Sequence, residues 1–212
     1  MRRGAVDPEL ARELPGLGIA WAEAPAPQGT RSPPWLRARL RALSDRWDGA
    51  RAVTMRREPV PAAYRAFHRH VGLDPDVDRP PVEEAVVDRL LRGGFETRGR
   101  IGDALLVGAL DTGVPLWALD AGRLSGPLRL RAARAGERLG EGDLAADLPA
   151  GRLVVADGRG PVAVLLGERA RSHAPGPETE RLCVFAVRVS GVPSIHVEEA
   201  LWTAVEALSD EA

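Results

Sequence analysis

Leu153-Val154-Val155-Ala156-Asp157 is followed by a Gly158-Arg159-Gly160-Pro161 turn, by Val162-Ala163-Val164-Leu165-Leu166, and then by Gly167-Glu168-Arg169-Ala170-Arg171-Ser172-His173. Two short apolar runs on either side of a glycine-proline turn predict a buried β-hairpin, Leu153 to Ala156 against Val162 to Leu166. The second strand is expected to deliver Glu168, Arg171, Ser172 and His173 at its exit, with Thr179 beside the hairpin at the start of the next strand. A rigid strand with a polar tip is a common way to build a site.

Toward the C-terminus, Leu182 to Val189 predicts another strand. A last helix is expected after Ser194, with Val197, Leu201, Ala204 and Leu208 on one stripe and Glu198 and Glu199 in its first turn. On the N-terminal side, Leu128-Arg129-Leu130-Arg131-Ala132 alternates as a strand does, and Pro115 to Leu119 and Ala104 to Leu110 also read as strands. Before Ile101 the period is helical. Ser32 is read as an N-cap with Pro33 at the first helical position, ahead of Leu36, Leu40, Leu43 and Trp47. Pro61 opens a helix carrying Tyr64, Phe67 and Val71. Pro80-Pro81 opens another, with Val86, Val87, Leu90 and Leu91 inward and Gly93-Gly94 as its stop. Short strands are expected at Ile19 to Trp21 and Ala52 to Met55. With no linker and no internal repeat, the economical expectation is one α+β domain over residues 1–212. It has an N-terminal helical portion and a mostly β C-terminal half.

All 29 basic residues are arginine, against 30 carboxylates, for a net charge of −1. The charge is uneven: residues 1–100 hold 18 arginines and 14 acids, and residues 101–212 hold 11 and 16. A polyanion would therefore favour the first half, although a dedicated nucleic-acid domain is far more basic. One cysteine, Cys183, allows no disulfide within the chain and suits a reducing, cytoplasmic setting. The first residues lack the apolar run of a secretory signal, and no run is long enough to span a bilayer, so no membrane partner is expected.

No glycine-rich phosphate loop, zinc-ligand spacing or nucleophile elbow is present, so neither metal nor cofactor is expected. His68 and His70 are two apart on a helix and do not converge on one ligand, which favours surface or packing roles, and His196 reads as structural. His173 follows Glu168, Arg171 and Ser172 and could line a pocket or a plain polar loop. Glu168 follows Gly167, which permits close backbone approach. Its carboxylate could bind an ammonium group, orient a water, or pair with Arg169 or Arg171. Thr179 could position a water or cap a turn. The arginine face of the first long helix, Arg37, Arg39, Arg41 and Arg46, reads either as solvated or as facing a polyanion.

At these residues the chain resembles the B3/B4 domain of the phenylalanyl-tRNA synthetase beta subunit, and more closely the free-standing proteins made of that domain alone. The agreement runs in order over about Val60 to Val189. Ala63-Tyr64-Arg65-Ala66-Phe67, Asp74-Pro75, Arg79-Pro80 and Glu83-Glu84-Ala85 are similar to the free-standing members. Pro115 to Asp120, Leu124 to Ala132, Gly136-Glu137, Gly151 to Asp157 and Pro161 to Glu168 are similar to successive synthetase segments. The resemblance implies a three-layer β/β/α fold and hydrolysis of a mischarged aminoacyl-tRNA. Glu168 would contact the aminoacyl group or a water, and Thr179 would act in catalysis. Trp117, Asp120, Gly167, Arg171, Ser172 and His173 would line the pocket, and Arg37, Arg41 and Arg65 would hold tRNA phosphates. Binding of tRNA or an amino-acid-like ligand without turnover is the alternative. The chain departs from the pattern in having Val107 to Gly113 where relatives carry an Asn/Ser pair, one glycine before Glu168, and Trp117 in place of a histidine.

Overall fold

The computed structural model describes residues 1–209 and shows a mixed α+β chain. Its strands are β1 (Arg2–Arg3), β2 (Ala5–Val6), β3 (Gly18–Pro25), β4 (Leu116–Asp120), β5 (Arg129–Ala132), β6 (Arg138–Leu139), β7 (Ala146–Asp147), β8 (Leu153–Ala156), β9 (Pro161–Val164) and β10 (Arg181–Arg188). The helices are α1 (Pro8–Glu13), α2 (Pro34–Arg46), α3 (Gly49–Thr54), α4 (Pro59–His70), α5 (Pro81–Arg92), α6 (Gly99–Thr112) and α7 (Ser194–Leu208).

Strand β10 organises the first sheet, whose order is β1-β3-β10-β4 with every pair antiparallel. Leu182 to Val187 are all buried, as an unbroken apolar run requires of a strand covered on both faces. Helices α6 and α7 pack together, and α7 lies on β10 and β3. Leu116 of β4 points to that side, because a Cβ built on Gly108 of α6 would lie 2.8 Å from it and 2.8 Å from the Ala200 carbonyl oxygen of α7. A glycine at 108 lets the two helices touch. Ile19 and Trp21 point the other way, toward the second sheet, of order β2-β5-β8-β9. Leu128, Leu130, Val155 and Val162 bring that sheet into the same hydrophobic cluster. Gly4, between β1 and β2, is where the N-terminus passes from one sheet to the other. A Cβ there would sit 2.2 Å from the Leu128 carbonyl oxygen.

The hairpin forms as the sequence predicts, β8 over the expected Leu153–Ala156, but β9 stops at Val164. Leu165 and Leu166 belong to a tight turn in which Gly167 N–H donates to Val164 O at 3.0 Å. Four other expectations are corrected. Ala104 to Leu110 is not a strand but the middle of α6: its apolar run is uninterrupted because the helix is covered by α2, α7 and β4. Ala52 to Met55 is helical as well, because Asp48 accepts from Arg51 N–H at 2.7 Å and starts α3. Ser32 is no N-cap. It is buried, its hydroxyl donates to the Asp103 carboxylate, and α2 begins at Pro34. Nor do helices come first, since β1 and β2 precede α1 and β3 precedes α2; the first two strands are two residues long and carry no period.

Candidate functional site

A cavity of about 730 Å³ lies at the outer edge of β4. Its floor is apolar: Leu105, Leu106 and Ala109 from α6, Val82 and Ala85 from α5, and Trp117 from β4. Trp117 is fixed by stacking on Phe185 of β10, ring centroids 5.5 Å apart and planes 16° from parallel. One wall is the first turn of α6, Gly99 to Gly102. Asp103 holds that turn in place. Its buried carboxylate accepts from Ser32 Oγ, from Thr97 Oγ1 at 2.6 Å and from Arg98 N–H at 2.7 Å, and Arg100 N–H donates to Thr30 O at 2.8 Å. Arg98 and Arg169, both exposed, stand at the mouth, and neither pairs with a carboxylate among the described residues.

The opposite wall is the segment 175–179, pinned by one hydroxyl. Thr179 Oγ1 donates to Asp120 Oδ2 at 2.9 Å and accepts from Gly176 N–H at 2.9 Å. The other oxygen of Asp120 accepts from Gly122 N–H at 2.9 Å, which ends β4 in a turn. The single proton of Thr179 is thus committed to Asp120, and the pair positions the wall. Among the described residues, no carboxylate or imidazole lines the cavity. What the arrangement offers is an apolar floor, backbone N–H groups at a helix start and two guanidinium groups, a combination that suits an amphipathic anion.

Trp117 and Thr179 therefore come together, with Asp120 behind them, while the remaining expected pocket residues disperse. The tight turn after β9 folds the chain straight back: Val164 N–H donates to Glu168 O at 2.8 Å, and Ala163 pairs with Arg169. Glu168 is exposed in that turn and is not among the lining residues, whereas Arg169 reaches the cavity mouth. Gly167 lines a separate cavity of about 420 Å³. Arg171 is exposed. Ser172 Oγ accepts from Glu141 N–H at 3.0 Å and lies 3.0 Å from His173 Nδ1. His173 is buried and lines a third, small cavity of about 190 Å³.

The three arginines expected to hold phosphate also part company. Arg41 is exposed and Arg37 half-buried on α2. Arg65 is not available: it is buried, pairs with Glu83 at 2.8 Å and Asp76 at 2.6 Å, and donates to Pro75 O at 3.2 Å. Sequence reasoning missed Arg98, Arg169 and the first turn of α6. The signal was present in Arg98-Gly99-Arg100-Ile101-Gly102, a glycine-arginine cluster opening an apolar run, but it was obscured by reading that run as a strand. Compared with protein-family models and with curated proteins, the chain matches none.

Proposed function

We propose that this chain is a free-standing editing-type module that receives the aminoacylated 3′ end of a tRNA and hydrolyses the ester of a wrongly attached amino acid. The observation that carries the proposal is the cavity at the edge of β4, which joins an apolar floor to a helix start and to two arginines that pair with no carboxylate among the described residues. The amino-acid side chain lies on Trp117 and the α6 leucines, and the terminal phosphates lie toward Arg98 and Arg169. The resemblance over residues 60–189 supports the same reading, and with it the three-layer B3/B4 arrangement.

The chemistry asks little of the protein. A water oxygen attacks the acyl carbon, the bond from that carbon to the ribose oxygen breaks, and the ribose oxygen leaves with a proton derived from the water. Positioning of the ester and of that water by backbone N–H groups lowers the barrier without a protein base. Thr179 and Asp120 act by holding the wall.

The lining, with no carboxylate or imidazole among its described residues, favours one other reading, binding of the same 3′ end without turnover. A deacylation screen over a panel of aminoacylated tRNAs separates the two. The proposal expects at least one substrate to be hydrolysed faster than in buffer. It expects that rate to fall about tenfold or more in Trp117→Ala, and to change little in Glu168→Ala. Binding with no hydrolysis selects the second reading, and neither binding nor hydrolysis removes both.

A further inference from the structure

The turn after β9 walls a second cavity, the one of about 420 Å³, which shares no lining residue with the site above. Phe67 of α4, Val71 just past its end, Leu73, Leu165 and Leu166 make its apolar wall. A polar group is set into that wall. His68 is only 5% exposed, and its Nδ1 lies 2.9 Å from the Tyr64 carbonyl oxygen one turn earlier in α4. A carbonyl oxygen only accepts, so Nδ1 carries the ring proton and donates it. Burial outweighs the nearby Asp78 and Glu83 carboxylates and holds the imidazole below its ordinary pKa, so the ring is neutral at neutral pH. Nε2, on the side of the ring away from the helix backbone, keeps a bare lone pair, and no described residue donates to it.

The backbone bears a cost at the same place. Leu166 has φ +54°, the only non-glycine in the left-handed region among the described residues. A branched side chain there costs about 1–2 kcal/mol. Glycine would relieve the strain but would remove a leucine from the cavity wall. What the strain secures is that both Leu165 and Leu166 are buried at the turn and line the cavity.

Four charged residues surround the opening, Asp78 and Glu84 against Arg79 and Arg152. Their charges balance, so the rim selects neither anion nor cation. We propose that this cavity binds a small neutral apolar molecule bearing one hydroxyl, of the phenol class, whose O–H donates to His68 Nε2 while its ring lies against Phe67 and the two leucines.

The probe is p-cresol, with toluene as the matched molecule lacking the hydroxyl, each titrated into the full chain at pH 7.5 and followed by ¹⁵N NMR of the histidines. The expected result is saturable p-cresol binding about tenfold or more tighter than toluene, with the His68 Nε2 resonance moving on saturation. His68→Phe keeps the ring volume and is expected to reduce p-cresol to the affinity of toluene. Equal affinities for the two probes, no binding of either, or an unmoved Nε2 resonance at saturation would overturn the proposal. The two-probe comparison and the Nε2 resonance are read on the unaltered protein, so they decide the matter even if His68→Phe does not fold.

Discussion

Arg65 shows how a residue's neighbours decide its use. On sequence alone it is one of eighteen arginines in a basic half and a reasonable phosphate ligand. In the fold it closes the gap between α4 and α5, with Glu83 2% exposed beside it and Arg56 Nε 2.7 Å from the same carboxylate, close enough for an ion pair but not aligned as a hydrogen bond. Removing one member of a buried pair strands the other charge, so Arg65→Met is expected to destabilise the protein by about 3 kcal/mol in urea unfolding. Arg65→Met with Glu83→Leu should recover most of that loss. An exposed phosphate-binding arginine would show neither effect. Other residues that carry the family resemblance prove to be ties of the same kind. Tyr64 Oη donates to Val187 O at 2.7 Å, and Arg131 grips Glu137 at 2.6 and 2.8 Å, holding that carboxyl below its usual range. Asp157 accepts from Ser125, Arg159 and Gly160 N–H groups. Cys183, buried at the centre of β10, has its thiol pushed up to about 12, chiefly by burial, and is a packing residue.

Helix α6 is the element on which both the fold and the candidate site turn. Its first turn walls the cavity, its middle supplies the floor, and its far face meets α7 at Gly108. A methyl group at 108 would meet a carbonyl oxygen of α7 and the Leu116 side chain, and the backbone cannot yield cheaply. Gly108→Ala is therefore expected to lower stability by about 1–3 kcal/mol despite alanine's better helix propensity, read as a fall in the urea midpoint. A rise in that midpoint would show that the two helices are not in contact there. The same helix marks where the sequence was legible and where it was not. Strands with a clear turn or alternation, β5, β8, β9 and β10, were readable, as were α5 with its glycine stop and α7 with its stripe. An apolar run such as Ala104 to Leu110 carries no period that distinguishes a fully buried helix from a buried strand. Two-residue strands such as β1 and β2 exist only through their pairing with distant segments, which no local pattern records. The candidate site was legible at Trp117, Asp120 and Thr179, which lie in β4 or just before β10. It was not legible past Val164, because the direction of side chains there is set by a three-residue turn rather than by strand alternation.

At the scale of the whole molecule, a chain of net charge −1 would hold the proposed anionic ligand through placement of a few arginines rather than through a general basic field. No helix among the described residues is long and apolar enough to cross a membrane. Strand β4 is an edge of the first sheet, and the cavity of about 730 Å³ opens there with Arg98 and Arg169 at its mouth. That coincidence of an exposed edge, an apolar floor and two arginines with no carboxylate partner among the described residues is the centre of the functional account. The most direct measurement is calorimetric titration of the protein with a 3′-phenylalanylamino analogue of a tRNA terminal dinucleotide, whose amide resists hydrolysis, at low and moderate salt. The account predicts saturable binding that weakens as salt rises, and that falls about tenfold or more when Arg98 and Arg169 are both changed to alanine. Absence of binding, or an affinity that neither salt nor the double substitution alters, would contradict it.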